Sequence, residues 1–376
     1  MDKDIFGTDG SSDAEPRYTA RAVLKNDKDQ YAVMYTEKYD FYLLPGGGIE
    51  GNEEKPEALR REVLEETGCT CETIEEIGCV YENRAHCNYT QYSYYYFVKA
   101  GNDIQDQRLT DIEIQNKTEV QWHPLEKVID LIFNQNPSTN QQKYLQARDI
   151  AALKKYVSEF ATNFEKRALL SGIKWIFFDI GSTLVDESEC YRARYAETVE
   201  GTDVSCEEFD HKVIEFSKQN KKGDHEAAKH FNLTLSKWHK ELEMLYPDTK
   251  EVLKCLFERG YKLGIIANQS LGSEKRLEGW GILKYFSAVI ASAEEGVAKP
   301  DKEIFLRALS RADCNPENAV MVGDRLDNDI VPANKIGMKT VWIKQGLGGY
   351  STPQSMDEHP YYTVNNLTEL CDLFEA

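Results

Sequence analysis

GGIEGNEEKPEALRREVLEETGC, residues 47–69, is the stretch from which the first half of the chain is read. It follows the apolar run Phe41-Tyr42-Leu43-Leu44 and opens in a glycine turn. A helix is predicted from about Pro56 to Thr67, because a proline near the start and Gly68 just past the end are the usual punctuation of a helix. On it Glu62, Glu65 and Glu66 lie three and four residues apart and share one face. Like charges so placed repel, and a divalent cation bound through oxygen would remove that penalty. Glu53 can fold back to the same place, where Arg61 would hold it by paired hydrogen bonds. Acidic helix faces are common as plain solvated surface, but here glycines, arginine and glutamates fall into one pattern.

That pattern, carried by Gly47, Glu53, Arg61, Glu62, Val63, Glu65, Glu66, Gly68 and Cys69, resembles the Nudix box. The resemblance implies a Mg2+- or Mn2+-dependent hydrolase of nucleoside diphosphate derivatives, on an α/β/α sandwich. Glu62, Glu65 and Glu66 are then the expected metal ligands, with Arg61 and Glu53 supporting catalysis and Gly47 at the substrate. A further carboxylate from a downstream loop is expected, and Asp111, Glu113 and Glu119 are candidates.

Around the box, strands are predicted at Tyr18–Leu24, Tyr31–Tyr35, Cys69–Ile74, Ile77–Tyr81 and Tyr89–Val98. The tyrosines of Tyr89–Val98 (YTQYSYYYFV) suit either base stacking or a strand packed on both faces, and the packed strand is favoured. Glu119–Trp122 reads as a last strand leading into a helix at Glu126–Phe133. Residues 1–16 read as a flexible tail, 17–135 as the Nudix domain, 136–171 as a helical linker and 172–376 as a second domain. The linker's apolar stripe would pack between the halves or on a partner chain.

The second domain is marked by apolar strands that end in polar chemistry. Lys174–Ile180 (KWIFFDI) carries Asp179, followed by Gly181, Ser182 and Thr183. Tyr261–Ala267 ends at Asn268, Val289–Ser292 precedes Lys299-Pro300, and Ala319–Val322 ends at Gly323-Asp324, with Asp327 and Asp329 beyond. Helical segments alternate with these strands, so a doubly wound parallel sheet is expected, with Asp179, Lys299, Asp324 and Asp329 converging on one edge. A lone aspartate at a strand end is usually a turn or cap residue; four such ends point to a site.

This half resembles the haloacid dehalogenase superfamily, and Glu187–Pro247, roughly sixty residues, has the place of its small helical cap. The resemblance implies Asp179 as nucleophile and metal ligand, Asp324 and Asp329 as further metal residues, and Lys299 as the charge that steadies the transferring phosphoryl group. It makes Asn268 and Lys299 substrate-binding, and Gly181 a metal residue through its backbone carbonyl. A carboxylate can attack a phosphoryl group only if cations screen the repulsion, which is the independent physical reason for this set. Two departures stand out. Gly181 occupies the place where the superfamily's phosphatases carry an acid, and Ala267 stands where Ser or Thr is usual. The second site is therefore expected to be slow or divergent unless another group donates the proton; His225, His230 and His239 are cap candidates.

The chain of 376 residues carries 45 basic and 64 acidic side chains, a net −19. That balance argues against a nucleic-acid backbone or an anionic membrane as partner, and for a small nucleotide or phosphorylated molecule met by metal ions. Nine cysteines without regular pairing, no secretory leader and no membrane-length apolar run lead to an expected cytoplasmic protein, with a homo-oligomer left open. Cys69, Cys71, Cys79, His86 and Cys87 lack the paired spacing of a zinc site. The alternative to catalysis is a nucleotide-sensing Nudix fold joined to a scaffold or dimerisation domain.

Overall fold

The computed structural model describes residues 3–7, 15–84, 88–354 and 356–374. The chain divides into two compact α/β units, Met1–Leu169 with Gln354–Met356, and Leu170–Pro353 with Asp357–Ala376.

In the first unit the strands are β1 (Lys3–Gly7), β2 (Arg17–Lys25), β3 (Tyr31–Thr36), β4 (Phe41–Leu43), β5 (Gly46–Gly48), β6 (Cys69–Arg84), β7 (Tyr89–Ile104) and β8 (Thr118–His123). They form one sheet in the order β1-β6-β7-β2-β3-β4, with β5 paired to β2 and β8 to β3. The box helix runs over Lys55–Thr67, with Pro56 in its first turn, a Glu54/Glu57 capping box and Gly68 in the left-handed conformation at its end. Its buried Ala58, Leu59 and Val63 pack with Ala20, Ala22 and Leu24 of β2 and with Tyr94 and Tyr96 of β7. Strand alternation sends Tyr95 to the opposite face. There its hydroxyl bonds Asp149 of the Asn140–Glu159 helix at 2.5 Å. The aromatic strand is thus packed on both faces, and the sheet lies between helices.

Three expectations are corrected. The segment read as a tail contains β1, which pairs parallel to β6; residues 1–2 and 8–14 lie outside the described ones. The segments predicted at Cys69–Ile74 and Ile77–Tyr81 are one strand, β6, whose register against β7 shifts between Glu76 and Gly78. Most of the predicted linker belongs to the first unit. Asp149 accepts from the backbone N–H of Leu44 at 2.8 Å, and Ala152, Leu153, Tyr156 and Val157 are buried. A helix with so much of its surface inside one core is a layer of that core. His86 and Cys87 lie outside the described residues.

The second unit has β9 (Trp175–Phe178), β10 (Val185–Asp186), β11 (Met244–Leu245), β12 (Lys262–Ala267), β13 (Phe286–Ala291), β14 (Ala319–Gly323), β15 (Lys339–Ile343) and β16 (Tyr362–Val364). The main sheet is parallel throughout, in the order β13-β12-β9-β14-β15-β16. Chain order reverses at β9, whose neighbours are β12 and β14, and open α/β sheets bind ligands at such a point. Helices Ser188–Val199, Cys206–Ser217 and Gly223–His230 pack around their own core of Tyr195, Val199, Phe209, Val213 and Ala227. They lie within the predicted cap, about 187–247, which β10 and β11 border as an antiparallel pair.

Candidate active sites

In the first unit Arg61 is the hub. Its guanidinium donates to Glu53 Oε1 at 2.7 Å and Oε2 at 3.3 Å, to Glu62 at 2.8 Å, to Glu65 at 3.2 Å and to the Gly48 carbonyl at 2.8 Å. The hydrogen bond with Glu53 comes first among the causes that hold Arg61 firmly protonated, and the same bond lowers the Glu53 carboxyl. Glu66 is treated differently. Its Oε2 accepts from the Gly46 N–H at 2.6 Å, and burial pushes its carboxyl up to about 8 against the favourable charge of Arg21. Burial likewise raises Glu62. Gly47 leaves room for this carboxylate: a Cβ there would come within 2.3 Å of Glu62 Oε2 and displace it.

A cavity of about 610 Å³ is lined by Arg17, Arg21, Gly46–Gly48, Glu62, Glu66 and Glu113 among others. Of the three downstream carboxylates, Glu113 alone is in that lining, and it also raises Glu66. Asp111 shares Glu113's short helix without lining the cavity, and Glu119 accepts instead from Gln121. Glu65 stays on Arg61 outside the cavity lining. The structure thus brings Glu62 and Glu66 to the cavity and leaves Glu65 apart from it. Arg21, which donates to the Leu44 carbonyl, was missed by motif reading because it sits on β2, far from the box in sequence. The oxygen donors present suit a hard divalent cation.

In the second unit the convergence is tighter. Lys299 Nζ lies 2.8 Å from Asp179 and 2.5 Å from Asp329, and is nearly inaccessible to solvent. Burial would lower its pKa, but Asp179 and Asp329 outweigh that and raise it. Asn268 fixes the lysine's backbone from both sides, donating to its carbonyl at 2.8 Å and accepting from its N–H at 2.7 Å. Asp329, on the π-helical turn Leu326–Ile330, also accepts from the Arg325 N–H at 3.0 Å.

Asp179, Asp324 and Asp329 each offer an oxygen within 4.8 Å of the others; among the described residues they are the one such set of three. Asp324 is pushed well above the usual carboxylate range by burial, then by Asp329 and Asp179, and Asp329 is pushed up to about 6, by burial first. Three converging carboxylates, two of them buried, with one lysine leave negative charge to be offset, so the set fits Mg2+ or a similar hard cation.

A cavity of about 350 Å³ is lined by Asp179, Gly181, Glu187, Asn268, Lys299 and Asp324 among others. Asp327 lines it too, bonded to Arg325. Of the cap histidines, His225 alone reaches the lining. His239 bonds Glu197 and Glu241, and His230 packs against Phe216 and Phe231. Sequence reading missed Glu187. Its Oε2 accepts from Ser182 Oγ at 2.8 Å, and burial pushes its carboxyl up to about 7, with Asp179 adding to the rise and Ser182 opposing it. The one available signal was a carboxylate a short loop away from a glycine that stands in an acid's place.

Comparison with known proteins agrees with this division. A family described as "NUDIX domain" matches residues 15–145, and one described as "Haloacid dehalogenase-like hydrolase" matches 176–343. A "Glyceraldehyde 3-phosphate phosphatase" of Methanopyrus kandleri is 40% identical over 129 residues, 34% of this chain and 55% of that protein. One of the same name from Pyrococcus furiosus is 32% identical over 231 residues, 54% of this chain and 93% of that protein. A solved HAD phosphatase from Thermococcus onnurineus is 29% identical, with a TM-score of 0.37, covering 53% of this chain and 96% of that one. The chain spans about half the length of some curated relatives that it matches, 55% for those of Methanopyrus kandleri and Methanocaldococcus jannaschii. The chain therefore belongs to the haloacid dehalogenase-like hydrolases through its second unit and carries a NUDIX domain in its first.

Proposed function

We propose that the protein is a metal-dependent hydrolase with two separate sites, a pyrophosphohydrolase in the NUDIX domain and a phosphomonoesterase in the haloacid dehalogenase-like unit. The observation that carries this reading is Lys299 placed between Asp179 and Asp329, with Asp324 close enough to complete a cation site. Mg2+ held by Asp179, Asp324 and Asp329, and in the first unit by Glu62 and Glu66, would offset negative charge on the phosphoryl oxygens. In the second unit an oxygen of Asp179 attacks phosphorus, the bond to the ester oxygen breaks, and water then hydrolyses the aspartyl phosphate. Lys299 offsets charge through that transfer, and Asn268 keeps it in place. In the first unit Glu66 or Glu62 accepts the proton of the water that cleaves the pyrophosphate, giving two monophosphates.

The relatives' names make a small alkyl phosphate, such as glyceraldehyde 3-phosphate, the first substrate to try in the second unit. Nucleoside diphosphate derivatives are the class to try in the first. A nucleotide-sensing first unit is favoured by one observation, that Arg61 already engages both Glu62 and Glu65. Incubating the full chain with Mg2+ and a panel of nucleoside diphosphate derivatives separates the two readings. Cleavage to monophosphates supports the hydrolase; binding without turnover across the panel supports the sensor.

A further inference from the structure

In the second unit, a phosphate monoester with an alkyl leaving group needs a proton on the departing oxygen, and Gly181 has no side chain to supply one. The space beside it is not empty. A Cβ built on Gly181 would lie 2.7 Å from Glu187 Oε1 and 3.0 Å from its Cδ and Oε2. The carboxyl of Glu187 therefore stands where the side chain of an acid at position 181 would begin. Ser182 holds one of its oxygens at 2.8 Å, which orients the group and leaves Oε1 as the oxygen nearest Gly181.

The cavities on either side of this carboxyl give it a task. Glu187, Ser182 and Tyr191 line the cavity that holds Asp179, Lys299 and Asp324. The same three residues line an adjoining cavity of about 640 Å³, walled by Tyr195, Tyr246 and other cap-side residues. A phosphoryl group placed at Asp179 would leave its alcohol portion room in the second cavity, with the ester oxygen near the boundary that Glu187 occupies.

Resting on the phosphomonoesterase reading above, we propose that Glu187 is the proton donor to the leaving group, replacing the acid that Gly181 lacks. The step balances. Asp179 Oδ attacks phosphorus, the P–O bond to the alcohol breaks, and the proton of the Glu187 carboxyl passes to the departing oxygen. Glu187, now a carboxylate, takes a proton from the water that hydrolyses the aspartyl phosphate, which restores both groups. A side chain at 181 would displace the Glu187 carboxyl from this position, since its Cβ would lie 2.7 Å from Oε1.

The test uses leaving groups of different need. para-Nitrophenolate departs without protonation, whereas the alkoxide of glyceraldehyde 3-phosphate does not. With Mg2+ and the full chain, Glu187→Gln, which retains the bond from Ser182, is expected to lower kcat on the alkyl ester by about a hundredfold or more. On para-nitrophenyl phosphate the loss stays below about tenfold, which also shows that the variant is folded. The double variant Gly181→Asp/Glu187→Ala, which has room for an acid at 181, is expected to recover alkyl-ester turnover. Equal losses on the two esters, or no loss on the alkyl ester, would overturn the assignment while leaving the phosphomonoesterase reading intact. A wild-type protein inert to both esters, and no different from Asp179→Asn, removes that reading and the assignment with it.

Discussion

In the first unit one guanidinium is shared among Glu53, Glu62 and Glu65, whereas in the second one ammonium sits between Asp179 and Asp329. The planar fork of Arg61 reaches several carboxylates and a carbonyl at once, as only arginine can. Its pairs are partly exposed, so much of their electrostatic gain is screened by solvent. Lys299 is a point charge, buried with Asp329 and touching the partly exposed Asp179, and little water reaches it. In both units one carboxyl is left strained: Glu66 in the first, Asp324 in the second. The lesson is that both sites are built short of positive charge, the second more severely because Asp324 and Asp329 are buried and its three aspartates converge within 4.8 Å.

Five substitutions probe that contrast, in descending order of expected effect. Asp179→Asn removes the attacking oxygen and should lower phosphomonoester hydrolysis by roughly ten-thousandfold; steady-state rates check it. Asp324→Asn removes the carboxylate most disfavoured by its neighbours. It should weaken Mg2+ binding to the second unit by about a hundredfold or more, as read by calorimetry. If the two units are equally short of charge, Glu66→Gln would weaken binding to the first unit as much.

Arg61→Lys keeps the charge and loses the fork. It should lower the stability of the first unit by about 2 kcal/mol, measured by denaturant unfolding. Glu165 supplies a contrast within the same unit, a carboxylate fully met by donors. Burial would raise its pKa, but hydrogen bonds from Tyr31, Lys25 and Thr162 outweigh that and lower it. Its contribution to stability is therefore full above the ordinary carboxylate value of 4.5 and is lost as pH falls through the lower folded value. Glu165→Gln should cost about 1.5 kcal/mol at neutral pH, and the difference from wild type should shrink in acid. A difference independent of pH would show that the charge of Glu165 is not what matters.

The parts of this protein that sequence reading reached are those whose signals are local. The box helix announces itself through Pro56, Gly68 and the glutamate spacing, and the second sheet through strand ends at Asp179, Asn268 and Asp324. What escaped depends on distant pairing. The pairing of β1 with β6 joins segments more than seventy residues apart, and no local pattern encodes it. The Asn140–Glu159 helix looked like a linker because its stripe gives no address; its place comes from Asp149 meeting Leu44 and Tyr95. Glu113 could not be chosen over Asp111 or Glu119 until a cavity separated them. Glu187 was hidden for the same reason: a loop returns it to Gly181, and only space, not spacing, shows that.

The central claim, two independent hydrolytic sites on one chain, is tested most directly by crossing two variants with two substrates. Rates of nucleoside diphosphate cleavage and of alkyl phosphate hydrolysis are measured with Mg2+ in wild type, Glu66→Gln and Asp179→Asn. The account predicts that Glu66→Gln loses only the first activity and Asp179→Asn only the second. Loss of both activities in either variant, or survival of both in each, would contradict it.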